Sequence, residues 1–197
     1  RMALDALEAA RASNGDHGIP HTLAHLQVVH PDDQQRLGQL GLYLTFTYAW
    51  TNPQPEYDML VTPFIQPTRK GQHLHEAMYD PKGYLKQALY PVASSRKAGA
   101  ILVAGSDAPV DSRDPRPFVN MAAGVNHAPQ SGDDFRASQR ITLDQMLDVY
   151  TINGARAVRQ QAVSGSIEAG KSADFIVLDR DLYQLVASGK PEQIADT

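Results

Sequence analysis

The chain has 197 residues, 42 % of them apolar and 20 % charged, with a formal net charge of −4 at pH 7 and no cysteine. This is an ordinary globular composition, enough for one large domain or part of a bigger one. It argues against nucleic acid or an anionic membrane as a partner, and it leaves His, Asp, Glu or a lysine-derived oxygen as the available metal donors.

No apolar run approaches the ~20 residues that cross a bilayer. The first ten residues do not read as a signal peptide, because Asp5 and Glu8 interrupt their apolar positions; a cytoplasmic location is expected. Residues 1–14 read as an amphipathic helix stopped by Asn14-Gly15. No N-cap precedes this helix, and residues 191–197 read as a loop, so the chain is expected to be a piece of a longer protein. A Gly-rich turn leads to a short run, His21-Thr-Leu-Ala-His25. Pro31-Asp-Asp33 opens a second helix with Leu37 and Leu40 on one face. Residues 42–48, Leu-Tyr-Leu-Thr-Phe-Thr-Tyr, read as a strand. Residues 49–80 hold four prolines (Pro53, Pro55, Pro63, Pro67) and read as a long loop or lid with one short helix. A helix is expected over 82–98, then a buried strand, Ala100-Ile-Leu-Val-Ala104. Helices follow near 115–126 and from Thr142, where Thr142 and Gln145 are spaced as a capping box. Residues 173–179 read as a last strand, in a separate β layer.

Alternating strands and helices at this spacing imply parallel strands, in part of a (β/α)8 barrel or of a doubly wound sheet. No G-x-G-x-x-G follows a strand, so a dinucleotide site is unsupported. Parallel sheets place their chemistry past the C-terminal ends of the strands. Asp107, in Gly-Ser-Asp-Ala-Pro-Val, stands there, where a metal ligand, a general base and a turn residue are all possible. His25 ends the first strand on the same rim, as a ligand or as a hydrogen-bonding structural residue. Imidazole with carboxylate suits zinc or another borderline divalent ion. His73 and His75 form an H-x-H pair, but inside the Pro-rich segment. His30 is read as a loop residue orienting the next helix, and Asp32 and Asp33 as its N-cap and first-turn acid. Tyr48 and Trp50 line a pocket or pack in the core; Arg69 and Lys70 meet a substrate carboxylate or face solvent. Ser106 has no nucleophile elbow around it.

These residues, in this order, resemble the amidohydrolase superfamily, and within it the branch that contains N-substituted formamide deformylases and proteins described as exoenzyme regulatory proteins. The carriers are His21-Thr-Leu-Ala-His25-Leu-Gln, His30-Pro-Asp-Asp33 with Leu40-Gly41, Ala98-Gly-Ala-Ile-Leu-Val-Ala-Gly-Ser-Asp-Ala-Pro-Val110, Tyr150-Thr-Ile-Asn-Gly-Ala155 and Gly165-Ser-Ile-Glu-Ala-Gly-Lys-Ser-Ala-Asp-Phe-Ile-Val-Leu-Asp-Arg-Asp181. The resemblance implies the C-terminal part of a (β/α)8 TIM barrel, strands six to eight with their helices, over 1–162. Residues 163–197 would return into a β-sandwich. It implies His25 as a metal ligand and Asp107 as a metal ligand and catalytic base; Trp50, just past a strand end, and Arg69, in the Pro-rich segment, are taken from their positions as substrate-binding residues. The cofactor would be a divalent metal, zinc first. The reaction would be hydrolysis of a non-peptide C–N bond in a small amide- or formamide-like substrate. The family's own H-x-H and its fourth- and fifth-strand ligands belong to strands outside this chain, and Ala24 stands where members usually have Glu. Alone, the chain is therefore expected to bind metal weakly, to be inactive and to self-associate. A non-catalytic regulatory or binding module on the same fold is the alternative.

Overall fold

A computed structural model describes residues 1–52, 54–62, 70–110, 112–126 and 137–197. Helix α1 (Met2–Asn14) ends at Gly15, whose positive φ of 82° glycine adopts without strain. Strand β1 (Thr22–Ala24) is followed by α2 (Pro31–Gln39), with proline at its first position. The N-cap of α2 is His30 and not Asp32: the His30 ring accepts a hydrogen bond from the Asp32 N–H at 3.2 Å. Asp33 is more than a first-turn acid. It is 4 % exposed and accepts from Arg1 Nε (3.1 Å) and Arg36 Nη1 (3.0 Å). Arg36 continues across to Asp5 (2.6 Å) and Glu8 (2.7 Å), so one guanidinium fastens α1 to α2.

Strand β2 (Tyr43–Phe46) leads into a 3-10 turn, Tyr48–Thr51. The segment expected to be mostly loop holds two helices, α3 (Pro55–Val61) and α4 (Leu74–Met78). The helix expected over 82–98 is two short ones, α5 (Leu85–Ala88) and α6 (Val92–Lys97). Pro91 lies between them, and its missing N–H and fixed φ interrupt the ladder. Strand β3 (Ile101–Ala104) is followed by α7 (Pro117–Asn126), a 3-10 turn at Ala137–Gln139, and α8 (Leu143–Tyr150). The Thr142/Gln145 capping box at the start of α8 is formed in both directions. Helix α9 (Ile152–Ala157) follows a break at Thr151. Asn153 Nδ2 donates to Leu102 O at 3.1 Å, satisfying a carbonyl on the edge of β3 that β2 does not pair.

The sheet is parallel, in the order β1-β2-β3, with Leu23 opposite Leu44 and Leu44 opposite Leu102. Leu44, Phe46 and Leu102 are buried with Leu37, Val92, Met146 and Val149 in one core. On the opposite face Thr22 and Ala24 are exposed and Tyr43 and Thr45 half-buried. Gly38 sets the helix packing: a Cβ there would lie 1.8 Å from Ala98 O.

The strand expected over 173–179 is absent. That stretch has no regular secondary structure and pairs with nothing among the described residues, and a strand exists only through a ladder partner. Phe175, Ile176 and Val177 stand exposed along it. Beyond it, α10 (Leu182–Ala187) and a 3-10 stretch, Pro191–Asp196, are helical and bury Leu182 and Ile194 in the main core. No described helix is long and apolar enough to cross a membrane.

Candidate active site

His25 directly follows β1, and its N–H still donates to Thr45 O at 3.0 Å, as a last rung of the ladder. Its φ is 69° and that of Leu26 is 52°, so the chain reverses through two left-handed residues that are not glycine. Such conformations cost about 1–2 kcal/mol each and persist only where their surroundings enforce them. The enforcement is visible downstream. Tyr90 N–H donates to Gln27 O (2.8 Å) and Val29 N–H to Ala88 O (2.8 Å), which pins the turn to the end of α5. The His25 side chain is exposed, and no described residue hydrogen-bonds either ring nitrogen.

Asp107 stands three residues past β3 and is also left-handed, with φ 53°. The left-handed residue of this turn is Asp107 itself and not Gly105. Gly105 serves close packing instead, because a Cβ there would meet Thr45 Cγ2 at 2.9 Å. The Ser106 hydroxyl accepts from the Ala108 N–H (3.2 Å), and Val110 N–H donates to the backbone carbonyl of Asp107 (2.9 Å), which ties the loop on either side of Asp107. Asp107 is half-buried, and among the described residues none hydrogen-bonds or ion-pairs with its side chain. The rim thus carries one imidazole and one carboxylate, both on left-handed backbone and both without a hydrogen-bond partner among the described residues.

Trp50 lies in the 3-10 turn after β2, which Asn120 of α7 holds by accepting from the Ala49 N–H (2.8 Å). The indole is 7 % exposed and stacks on His25, with centroids 6.0 Å apart and planes 13° from parallel. Its other neighbour is Tyr57 of α3, at 5.4 Å and 48°. Gln27 Nε2 donates to Tyr57 Oη at 3.1 Å. Sequence reasoning named Trp50 but neither Tyr57 nor Gln27, which lie thirty positions apart in the chain. Helix α3 is itself anchored by Asp58, fully buried, which accepts from Tyr79 Oη and from the Gln54 N–H (3.2 Å). Tyr48 is core, fully buried, and burial pushes its phenol pKa up. Arg69 lies outside the described residues, as does the side chain of His75. His73 is exposed at the start of α4, and Lys70 is exposed as well. Among the described residues no group of three or more His, Asp or Glu comes together as a metal site.

The model of the amidohydrolase family matches residues 1–195. The chain is 31 % identical over 181 residues to an N-substituted formamide deformylase of Arthrobacter pascens, covering 91 % of this chain and 29 % of that protein. It is 30 % identical over 183 residues to the protein LONG AFTER FAR-RED 3 of Arabidopsis thaliana, covering 92 % of this chain and 28 % of the relative. Its fold is similar to that of an uncharacterized metal-dependent hydrolase from Pyrococcus horikoshii, with a TM-score of 0.65 at 22 % identity over 91 % of this chain and 31 % of that one. The chain therefore spans less than a third of the relatives it matches. By the match along almost its whole length, it belongs to the amidohydrolase family.

Proposed function

We propose that this chain supplies part of the active site of a metal-dependent amidohydrolase that hydrolyses a non-peptide C–N bond, amide- or formamide-like, in a small-molecule substrate. The observation that carries it is the pairing of His25 and Asp107. They stand just past the ends of strands in one parallel sheet, both on left-handed backbone, with no described partner for their donor atoms. Strain of that kind at two rim positions points to a retained chemical task.

The sheet is taken as strands six to eight of a (β/α)8 barrel over 1–162. Its sequential parallel order supports this, as does the exposure of Thr22 and Ala24 on its second face, since parallel sheets are covered on both faces in complete folds. Residues 163–197 are taken as the return towards a β-sandwich, in which the exposed apolar stretch at 175–177 would find a ladder partner.

Imidazole nitrogen and carboxylate oxygen fit a borderline divalent cation, with zinc first. They fit as a partial set, because a catalytic zinc site takes three protein ligands and the described residues bring together no such group. A bound divalent metal would polarise the substrate carbonyl and acidify water. His25 would hold it through an imidazole nitrogen. The Asp107 carboxylate would accept the proton of the attacking water and pass it to the leaving amine nitrogen, general base first and general acid second. Trp50 and Arg69 are proposed on the substrate side, Trp50 as part of the wall beside His25. Alone, the chain would bind metal weakly, turn nothing over and self-associate through its open sheet edges.

The test is a polypeptide of the relatives' full length carrying these residues. His25→Ala should lower its bound metal, read by elemental analysis, and with it the hydrolysis of an N-substituted formamide. Unchanged metal content would contradict the assignment.

A further inference from the structure

A ligating histidine is usually oriented by a hydrogen bond from its second ring N–H to a carboxylate or carbonyl. His25 has no such bond from any described residue. What lies against its ring is the Trp50 indole, nearly parallel at 6.0 Å. Trp50 in turn is fixed from two directions. Its own turn is tied down by Asn120, and Tyr57 packs against the indole at 5.4 Å. Tyr57 is held by Gln27, two residues after His25, and its helix is anchored through buried Asp58. His25, Trp50, Tyr57 and Gln27 thus form a closed ring that begins and ends on the turn after β1.

We propose that Trp50 is the positioning residue of His25, orienting its imidazole by stacking where other sites use a hydrogen bond, and that the Tyr57–Gln27 contact locks Trp50 in that pose. The inference rests on the reading of His25 as a metal ligand. Trp50 touches no reacting atom; it narrows the rotamers open to the imidazole before the metal arrives. Offset stacking at this separation is the favourable aromatic geometry, and loss of such an orienting partner weakens metal binding roughly tenfold.

The test follows the His25 ring signals by NMR in the isotope-labelled chain at constant pH, with millimolar Co2+ as the paramagnetic probe. In the wild-type chain the indole ring current should displace the His25 ring protons from free-histidine positions, and Co2+ should broaden them selectively. Trp50→Phe, which keeps an aromatic face, should hold the Co2+ affinity at His25 within about twofold. Trp50→Leu should weaken it roughly tenfold, and Tyr57→Phe, which deletes only the hydroxyl bonded to Gln27, roughly threefold. His25 signals at free-histidine positions in the wild-type chain would overturn the stack, and with it the inference, whether or not Trp50→Leu folds. Equal affinity in wild type, Trp50→Leu and Tyr57→Phe would overturn the inference alone. Co2+ that leaves displaced His25 signals sharp in the wild-type chain would overturn the ligand reading itself.

Discussion

Gly38→Ala tests the packing that holds the rim together. Gly38 lies in α2, and an added Cβ would sit 1.8 Å from Ala98 O, 2.3 Å from Ala98 C and 2.8 Å from Gly99 N. All three are backbone atoms in the turn between α6 and β3, so no side chain can rotate away. Reaching a tolerable separation of 3.0 Å requires α2 and that turn to part by about 1.2 Å. In an open helix the same substitution would stabilise by about 1 kcal/mol. Overpacking against backbone costs about 1–3 kcal/mol or more, and three simultaneous contacts place this site at the upper end. A net loss of about 2 kcal/mol is expected, read as a lower midpoint in urea, followed by the fluorescence of Trp50, the chain's single tryptophan. Gly41→Ala meets nothing within 4 Å but sits at φ 58°, so it should lose about 1 kcal/mol through the left-handed backbone alone. A Gly38→Ala chain as stable as wild type would refute the claim of backbone-to-backbone contact.

Three further outcomes follow from particular contacts. Burial alone would raise the Asp33 carboxyl, but hydrogen bonds from Arg36 and Arg1 outweigh it and hold the pKa below the usual carboxylate value. Its stabilisation is therefore complete above about pH 4 and is lost as pH falls through the lowered folded value. Asp33→Asn should lower the unfolding midpoint at pH 7 and flatten the acid limb of the stability profile; an unchanged acid limb would refute this. Thr142→Ala removes the hydroxyl that accepts from the Gln145 N–H in the α8 capping box and should cost about 1 kcal/mol in chemical denaturation, with Thr142→Ser close to wild type. Light scattering should show association of the isolated chain that increases with concentration, driven by the outer edges of β1 and β3, which no strand pairs among the described residues, and by exposed Phe175, Ile176 and Val177; a monomer at all concentrations would contradict it.

What the sequence made legible was local. The capping box of α8 is a spacing of three residues, and the structure forms it as spaced. The apolar run at 100–104 and the β-branched and aromatic residues of 42–48 marked two of the strands, and the short run 21–25 the first. Strand ends then placed His25 and Asp107 on one rim. The misses are long-range. Residues 173–179 carry a strand's composition, yet composition cannot supply a ladder partner. Asp33 reads as a first-turn acid, and only the fold reveals that Arg1 and Arg36 meet there. The left-handed backbone of His25 and Asp107 has no composition signal, since neither is a glycine. Tyr57 and Gln27 were silent for the same reason: their contact exists only once α3 has docked against the turn after β1.

The most direct test of the account concerns Asp107. In a polypeptide of the relatives' full length, hydrolysis of an N-substituted formamide is measured for wild type and Asp107→Asn, with folding checked by circular dichroism. Loss of the proton-transferring carboxylate should lower kcat/KM by about 10²–10⁴-fold, and the wild-type enzyme should lose activity to a chelator and regain it with a divalent metal. An Asp107→Asn enzyme as fast as wild type would contradict the central claim.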